Sequence, residues 1–210
     1  SGIYIGNSSP AISGNTASGN TNYGIYVIGA AIPSSIAGNT LTGNTLGPVG
    51  IAADSSGTVI AGDNSFTGPL YIDGGSLTKN TTWNNSRIYY IRGSITVNTG
   101  VTLTIPAGRV IKFAQDTGIF VSGTLSAVGT SGTGQIYFTD YRDDTAGGDT
   151  NGDGIASLPG AAWWVGIHIN NGGSATLDYS VVRYARGCSF GWPYDNSFAG
   201  IYKTGTGVLS

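Results

Sequence analysis

The sequence predicts an all-β chain in which short parallel strands follow one another in coils of roughly 22–25 residues. The first observation is composition: Gly, Thr, Ser and Asn make up 97 of the 210 residues, Glu is absent, and there are only three Lys. Residues that favour exposed helix faces are therefore scarce, whereas β-branched, aromatic and turn residues are abundant. The second observation is a repeat near the start of the chain, and the third is a regular series of short alternating runs after it. An ordinary helical or doubly wound protein is excluded.

Residues 1–68 contain three copies of a repeat unit with Gly-Asn-Thr or a close variant at its centre. Ile12, Ile36 and Ile60 begin the matching segments, and the step from the first to the second equals the step from the second to the third. Short apolar segments upstream of each copy recur at slightly unequal steps, so the core positions are fixed while the turns vary in length. This pattern predicts stacked parallel strands about 4.8 Å apart, with the three Ile side chains in an internal ladder. Gly and Asn are expected at the tight bends, where positive φ is required.

The rest of the chain continues the same pattern in a less regular form. Residues 69–94 are predicted to be an irregular junction within the same array, because their sequence breaks the repeat. Residues 95–210 return to short alternating runs in which similar positions recur every third strand, as in the step from Leu103 to Leu125. A sandwich of hairpins would also give short alternating strands. It would not explain the recurrence at every third strand, so further coils are favoured.

Several motifs carry a resemblance to a known family: the Gly-Asn-Thr units, Val-Thr-Leu-Thr-Ile-Pro-Ala-Gly at 101–108, Val-Ser-Gly-Thr-Leu-Ser-Ala-Val-Gly-Thr at 121–130, and Gly-Gly-Asp-Thr-Asn-Gly-Asp-Gly at 147–154. With these motifs, nearly the whole chain resembles right-handed parallel β-helix repeat proteins. That family consists of secreted or cell-surface microbial solenoids and includes adhesins and carbohydrate-active enzymes. The resemblance implies right-handed coils. It implies no single activity, because one fold carries many functions.

One long Asp/Gly-rich loop insertion is predicted at residues 140–162. The step from Ile136 to Ile167 is longer than the other steps between matching runs, so this coil would be about seven residues longer than its neighbours. Five carboxylates fall within fifteen residues of the loop. Like charges at this density repel one another unless a cation lies among them. The sequence therefore favours a bound cation.

A calcium motif lies within this loop. Asp149, Asn151 and Asp153 stand at i, i+2 and i+4 with Gly154 next, which is the opening half of an EF-hand loop. This spacing lets three oxygen ligands converge on a hard cation, but the position of the bidentate Glu is Gly160. A structural Ca²⁺ ion is the predicted cofactor. The alternative is a turn whose side chains bond its own backbone without metal. Besides water, the remaining ligands would come from the carbonyl of Ile155 and from Asp140, Asp143 or Asp144.

Arg183 and Arg186 lie close in sequence to Asp178, Tyr179 and Tyr184. Enzymes that cleave or epimerise acidic polysaccharides need a base and a group that neutralises the uronate, and this cluster could supply both. A solvated or ion-paired surface role is the favoured interpretation of Arg183. The sequence marks out no pair of carboxylates for an ordinary glycosidase.

Aromatic residues crowd the C-terminal third of the chain. Sugar rings stack on exposed aromatic faces, so Trp192 and Tyr194 are candidates for a glycan-binding strip. One of the adjacent pair Trp163 and Trp164 is instead expected to cap the interior where the long loop rejoins the coil.

Charge and hydropathy exclude other classes of partner. A net charge of −2 and an isoelectric point near 5.0 give no basic surface for nucleic acid. No stretch approaches the roughly 18 apolar residues of a membrane-spanning helix, so no membrane insertion is expected within this segment. The single cysteine, Cys188, excludes an intramolecular disulfide. Asn7, Asn80 and Asn84 each stand in an Asn-x-Ser/Thr sequon and are candidate glycosylation sites in a secreted protein.

The sequence favours a non-enzymatic structural or adhesive β-solenoid, located outside the cell or on its surface, that belongs to a longer protein or fibre. Gly2-Ile3-Tyr4-Ile5 and Gly200-Ile201-Tyr202 are both typical of ordinary coils rather than of caps. Uncapped coils expose unpaired strand edges. The expected partner is therefore another copy, or flanking coils of the parent chain, stacked end to end. A polysaccharide-active enzyme and a glycan-binding module remain the alternatives.

Overall fold

The computed structural model describes residues 1–161, 163–186 and 199–210. Within these ranges the chain is all-β, with nineteen strands and two single-turn 3₁₀ helices, Ala53–Ser55 and Gly132–Gly134. Every strand pairing among the described residues is parallel. The described part of the chain contains no helix long and apolar enough to cross a membrane.

One large sheet runs through the molecule. Its eight strands are arranged side by side in the order in which they occur along the chain. They are β1 (Ile3–Gly6), β3 (Tyr23–Ile28), β5 (Gly47–Ile51), β6 (Leu70–Ile72), β9 (Tyr89–Ile91), β12 (Val110–Phe113), β15 (Ile136–Asp140) and β18 (Ser180–Val182).

Three smaller sheets hold the other strands. The five-stranded sheet contains β7 (Gly75–Leu77), β10 (Ile95–Val97), β13 (Gly118–Val121), β16 (Gly166–Ile169) and β19 (Ile201–Lys203). The four-stranded sheet contains β8 (Thr81–Thr82), β11 (Thr102–Pro106), β14 (Thr124–Val128) and β17 (Ser174–Asp178). The two-stranded sheet contains β2 (Ala11–Ser13) and β4 (Ser35–Ala37).

From β6 onward, the chain visits the eight-, five- and four-stranded sheets in a fixed rotation, so every third strand returns to the same sheet. This recurrence, which the spacing of the alternating runs predicted, is confirmed. Residues 69–94, predicted to be an irregular junction, contain β6 to β9, and these strands pair with strands before and after them. Parallel sheets visited in rotation are consistent with a β-helix.

The core lies between the sheets and is built from aligned side chains. Ile12 is opposite Ile36, Ile36 is opposite Ile60, and Leu103 is opposite Leu125, as the repeat spacing predicted. Along the eight-stranded sheet, one ladder position is buried in six successive strands. Each fully buried aliphatic or aromatic side chain contributes about 1.5–3 kcal/mol. The residues of this ladder are Ile25, Val49, Leu70, Tyr89, Ile111 and Phe138.

The size of the loop insertion differs from the prediction. Ile136 pairs with Ser180 and Ile167 pairs with Ile119, so the two isoleucines belong to different sheets. The spacing between them therefore does not measure a coil. The matching step, from Ile119 to Ile167, is twice as long as the step from Ile95 to Ile119. The insertion is about as long as a whole coil.

The turns of the repeats use Gly and Asn for different purposes. Gly14 and Gly38 have φ of 67° and 63°, as expected for tight bends. The asparagines that follow, Asn15 and Asn39, do not have positive φ, and that part of the expectation was wrong. Their side-chain amides instead join one coil to the next: the Asn15 backbone N–H donates to Asn39 Oδ1 at 3.0 Å, and the Asn39 N–H donates to Asn64 Oδ1 at 3.0 Å.

Candidate functional site

The Asp-rich loop leaves β15 at Asp140 and rejoins the sheets at Gly166, the first residue of β16. Part of it lies over β12, the strand beside β15, and covers Lys112. The Lys112 side chain has no exposed surface, and its Nζ donates a hydrogen bond of 2.7 Å to the carbonyl oxygen of Gly148 in the loop. A lysine that follows the buried Ile111 in a strand would otherwise face solvent. The loop therefore converts a surface position into a buried cationic one.

Lys112 supplies positive charge among the loop carboxylates. Burial lowers the pKa of Lys112 below its ordinary value, because desolvation disfavours the ammonium form. The negative charges of Asp143, Asp144, Asp149 and Asp140 oppose that shift and favour the ammonium form. The side chain is thus both desolvated and surrounded by opposite charge, which is the usual condition for a buried lysine.

Asp143 is fully buried, as Asp140 is. It accepts hydrogen bonds from the Thr139 hydroxyl at 2.6 Å and the Thr145 hydroxyl at 2.6 Å, and it forms an ion pair of 3.2 Å with Arg183. Burial by itself would raise the pKa of Asp143. The hydrogen bonds from Thr139 and Thr145 and the charge of Arg183 outweigh burial, so the pKa lies below its ordinary value. Asp143 is therefore held as a carboxylate by partners from β15, the loop and the chain after β18.

Asp140 has its own cation. Arg142 binds it with two nitrogens, Nε at 3.1 Å and a terminal nitrogen at 2.7 Å, and the Gly160 N–H donates to it at 3.1 Å. The guanidinium of Arg142 also lies 3.4 Å from the ring centroid of Trp163. A bidentate pair of this kind fixes geometry as well as charge. Asp140 lies at the start of the loop and Gly160 lies near its end, so the hydrogen bond between them holds the two ends of the loop together.

The predicted calcium ligands form a tight local turn. Asp149 accepts hydrogen bonds from the N–H of Gly152 at 2.7 Å and of Gly154 at 2.8 Å. The hydrogen bond from Gly154 is the largest of the effects that lower the pKa of Asp149. The Asn151 amide donates to the Ser157 hydroxyl at 2.8 Å, and that hydroxyl donates to Asp153 at 2.6 Å.

These contacts are those of the alternative interpretation, a turn in which side chains bond the local backbone. Ile155 is 86 % exposed, and the oxygens of Asp143 are engaged by threonine and arginine. Asn151 and Asp144 each retain one buried side-chain oxygen without a hydrogen-bond partner. Across residues 1–161, 163–186 and 199–210, no group of three or more His, Cys, Asp or Glu side chains could hold a metal ion. A Ca²⁺ ion here would use remaining oxygen lone pairs, and calcium binding stays a prediction.

The arginines of the suggested uronate cluster separate to different carboxylates. Arg183 pairs with Asp143, while Arg186 pairs with Asp116 in the turn before β13. Asp178 is exposed at the end of β17. Of the two surface roles expected for Arg183, solvated or ion-paired, the structure shows the ion pair.

The remaining sequence candidates are distributed over the surface. All three sequon asparagines, Asn7, Asn80 and Asn84, are exposed. Asn80 accepts a hydrogen bond from the Thr102 N–H at 2.9 Å, and Asn84 accepts one from Arg109 at 3.0 Å. The proposed glycan-binding pair, Trp192 and Tyr194, lies outside the described residues.

Of the adjacent tryptophans, Trp164 has no exposed surface and stacks on Phe113 with ring centroids 4.0 Å apart. The expectation that one of the two caps the interior is confirmed.

Sequence reasoning missed Lys112 as part of the site. Its signal was available: Val-Ile-Lys-Phe at 110–113 places a lysine inside an apolar strand, in a chain with only three lysines and one acidic insertion.

No protein family matches the chain, and neither the curated proteins nor the solved structures contain a match.

Proposed function

We propose that the chain is a segment of a right-handed parallel β-helix with a structural or adhesive role, outside the cell or on its surface. The observation that supports this most is the eight-stranded parallel sheet, to which successive coils contribute one strand each from Ile3 to Val182. With strands about 4.8 Å apart, this sheet spans about 34 Å along its stacking direction. A β-helix of this kind is an elongated scaffold whose length is set by the number of coils.

End-to-end stacking follows from how such a scaffold buries its core. A coil covers its apolar side chains only by lying against its neighbours. Among the described strands, β1 pairs only with β3 and β2 pairs only with β4, so one edge of each is open to a further strand. Ile3 packs against the core from this outermost coil and is only partly buried. We infer that the partner is another copy of the chain or flanking coils of the same protein.

The long loop fits the same structural role. Its carboxylates engage Lys112, Arg142 and Arg183, which come from β12, the loop itself and the chain after β18. The loop thereby joins neighbouring coils on the outside of the large sheet, and a Ca²⁺ ion at Asp149 and Asp153 would stabilise the turn within the loop. The geometry does not favour the uronate-processing alternative, because Arg183 and Arg186 are held by separate carboxylates.

Two substitutions in β1 test the stacking proposal. Ile3→Lys places a charge on the apolar end of the core, whereas the control Tyr4→Lys changes the adjacent residue, which is 62 % exposed. We expect the unmodified chain and Tyr4→Lys to form linear particles with rising concentration, seen by light scattering and electron microscopy. Ile3→Lys is expected to remain monomeric.

A second readout separates the two kinds of partner. If the chain stays monomeric, an apolar fluorescent dye should bind it, and Ile3→Lys should remove that binding, as expected when flanking coils normally cover the end. A monomer that binds no dye refutes stacking in both forms. Equal assembly of Ile3→Lys and Tyr4→Lys likewise refutes it.

A further inference from the structure

A groove forms where one turn of the repeat region is shortened. Segments 16–25 and 40–49 are paired at both ends, Thr16 with Thr40 and Ile25 with Val49. Each segment therefore uses nine residue steps between its two paired ends. In the next coil, Ser65 pairs with Thr40 and Leu70 pairs with Val49. The segment 65–70 therefore uses only five residue steps between the same two positions. The shorter segment takes a direct path and leaves one side of the preceding turn uncovered. The recess has a volume of about 410 Å³.

The sequence explains why the ladder of turns stops here. In the first two coils, the Asn20 N–H donates to Asn44 Oδ1 at 3.1 Å, and the Thr45 N–H donates to the Asn20 carbonyl at 2.9 Å. The third coil has Gly68 and Pro69 in place of a further Asn-Thr pair. Proline has no N–H and cannot continue a ladder of this kind. The turn that contains Asn44 therefore forms one wall of an open groove.

The lining of the groove is uncharged and combines hydroxyl groups with aromatic rings. None of the described residues that line it is acidic or basic. Hydroxyl groups both donate and accept hydrogen bonds, whereas Phe66 and Tyr71 offer flat apolar faces. The aliphatic hydroxyl groups at the groove belong to Thr42, Thr45, Ser65 and Thr67.

Both aromatic rings are held in place by the protein. The guanidinium of Arg87 lies 3.7 Å from the ring centroid of Phe66 and also donates to the Phe66 carbonyl oxygen at 3.3 Å. Tyr71 packs against the backbone of Gly47, where a Cβ would overlap the ring, and its ring centroid lies 5.6 Å from that of Tyr90. Because the rings are already ordered, a ligand that stacks on them loses less free energy to ordering the site.

We propose that this groove binds an uncharged carbohydrate, with a sugar ring against Phe66 or Tyr71 and sugar hydroxyls bonded to the threonine and serine hydroxyls. A sugar presents apolar ring faces and a rim of hydroxyls, which is the chemistry of this lining. The lining residues offer no charged group to a charged ligand, and the neighbouring Arg87 is already engaged by the Phe66 ring and the Phe66 carbonyl oxygen. The volume lies within the range of about 300–1,000 Å³ typical of small-molecule sites. The proposal does not depend on end-to-end stacking.

The test uses the full chain with neutral hexasaccharides (cellohexaose, mannohexaose and maltohexaose) and with the hexamer of galacturonic acid as the acidic counterpart. Titration calorimetry should show binding of at least one neutral hexasaccharide and weaker binding of the acidic one. Phe66→Ala should weaken that binding by about tenfold, which corresponds to about 1.4 kcal/mol. Thr42→Trp, at an exposed position on the rim, should block the groove without affecting the core.

The control is Tyr4→Ala, which removes the aromatic ring of a residue that is 62 % exposed and lies outside the groove. It should leave the affinity unchanged. The proposal is overturned if no neutral hexasaccharide binds at millimolar concentration, if the acidic hexamer binds as tightly, or if Thr42→Trp retains full affinity while its melting curve is unchanged. Loss of affinity in Tyr4→Ala equal to that in Phe66→Ala would also overturn it.

Discussion

Replacing Asn39 with Ala should be among the most destabilising polar substitutions in the chain. Asn39 has no exposed surface. Its side-chain amide donates to the carbonyl oxygen of Ile12 at 3.0 Å and to Asn64 Oδ1 at 2.8 Å. Its Oδ1 accepts from the backbone N–H of Asn15 at 3.0 Å. One side chain therefore connects three successive coils.

The expected cost can be worked from these contacts. A hydrogen bond of this kind contributes about 0.5–1.5 kcal/mol net, and a buried polar group left without a partner costs about 1–3 kcal/mol. Asn64 Oδ1 keeps its bond to the backbone N–H of Asn39 after the substitution, and the carbonyl of Ile12 is partly accessible to water. Asn39→Ala should therefore lower the free energy of unfolding by about 2–4 kcal/mol.

Asn15→Ala is the matched control, because Asn15 occupies the same position in the preceding repeat but is exposed. Its amide donates to the Ser13 carbonyl at 3.0 Å and to Asn39 Oδ1 at 3.2 Å. Water can replace the first bond, and after the substitution Asn39 Oδ1 keeps the bond from the Asn15 backbone N–H. The expected loss is below about 1 kcal/mol. Urea denaturation followed by circular dichroism measures both variants, with equal m-values as the sign that only stability changed. Equal losses for the two variants would refute the reasoning, since burial would then not govern the cost.

Three further predictions concern the core and the loop. Ile36→Ala should cost about 2–5 kcal/mol in urea denaturation and Ile12→Ala less, because Ile36 is buried between two coils and Ile12 is partly exposed; equal costs would contradict this. If Asp149 and Asp153 bind Ca²⁺, chelation should lower the Tm by an amount equivalent to about 2.7 kcal/mol at 100-fold excess over Kd, and Asp153→Ala should remove the effect; identical melting curves would count against calcium. The lowered pKa of Asp143 means that its carboxylate stabilises the fold above the unfolded-state pKa of about 3.9 and that this stabilisation is lost as the pH falls further. Melting curves of Asp143→Asn should therefore depend less on acid pH than those of the unmodified chain, and an unchanged dependence would contradict the assignment.

Repeat spacing predicted the pairing of the strands well where neighbouring copies share a sheet. The equal steps of the repeat placed Ile36 opposite both Ile12 and Ile60, because a buried ladder fixes register. The step from Ile136 to Ile167 misled, since both lie in apolar runs but in different sheets. A spacing alone does not reveal which sheet a strand joins. The role of the repeat asparagines was also predicted wrongly. The prediction rested on the local chemistry of turns, whereas the side-chain amides of Asn39 and Asn64 form hydrogen bonds between coils.

The sequence predicted the negative charge of the candidate site but not the side-chain cations that balance it. Five carboxylates in one loop indicated a cation, and the sequence motif pointed to calcium. The structure supplies Lys112, Arg142 and Arg183, of which the first and the last lie outside the loop in sequence. Only the parallel pairing of β12 with β15 and of β15 with β18 brings these two cations to the loop. Calcium would therefore act on carboxylates whose charge is already partly balanced.

Differences in turn length account for both surface features of this chain. In stacked parallel strands the core residues must stay in register, so a gain or loss of residues has to fall in the turns. The segment 65–70 is four residues shorter than the segment 40–49, and this difference creates the uncharged groove. The long insertion after Asp140 instead covers Lys112 and builds the charged loop. Binding chemistry in such an array should therefore be sought first where a coil departs from the common length, and substitutions there should change ligand binding with little effect on the core.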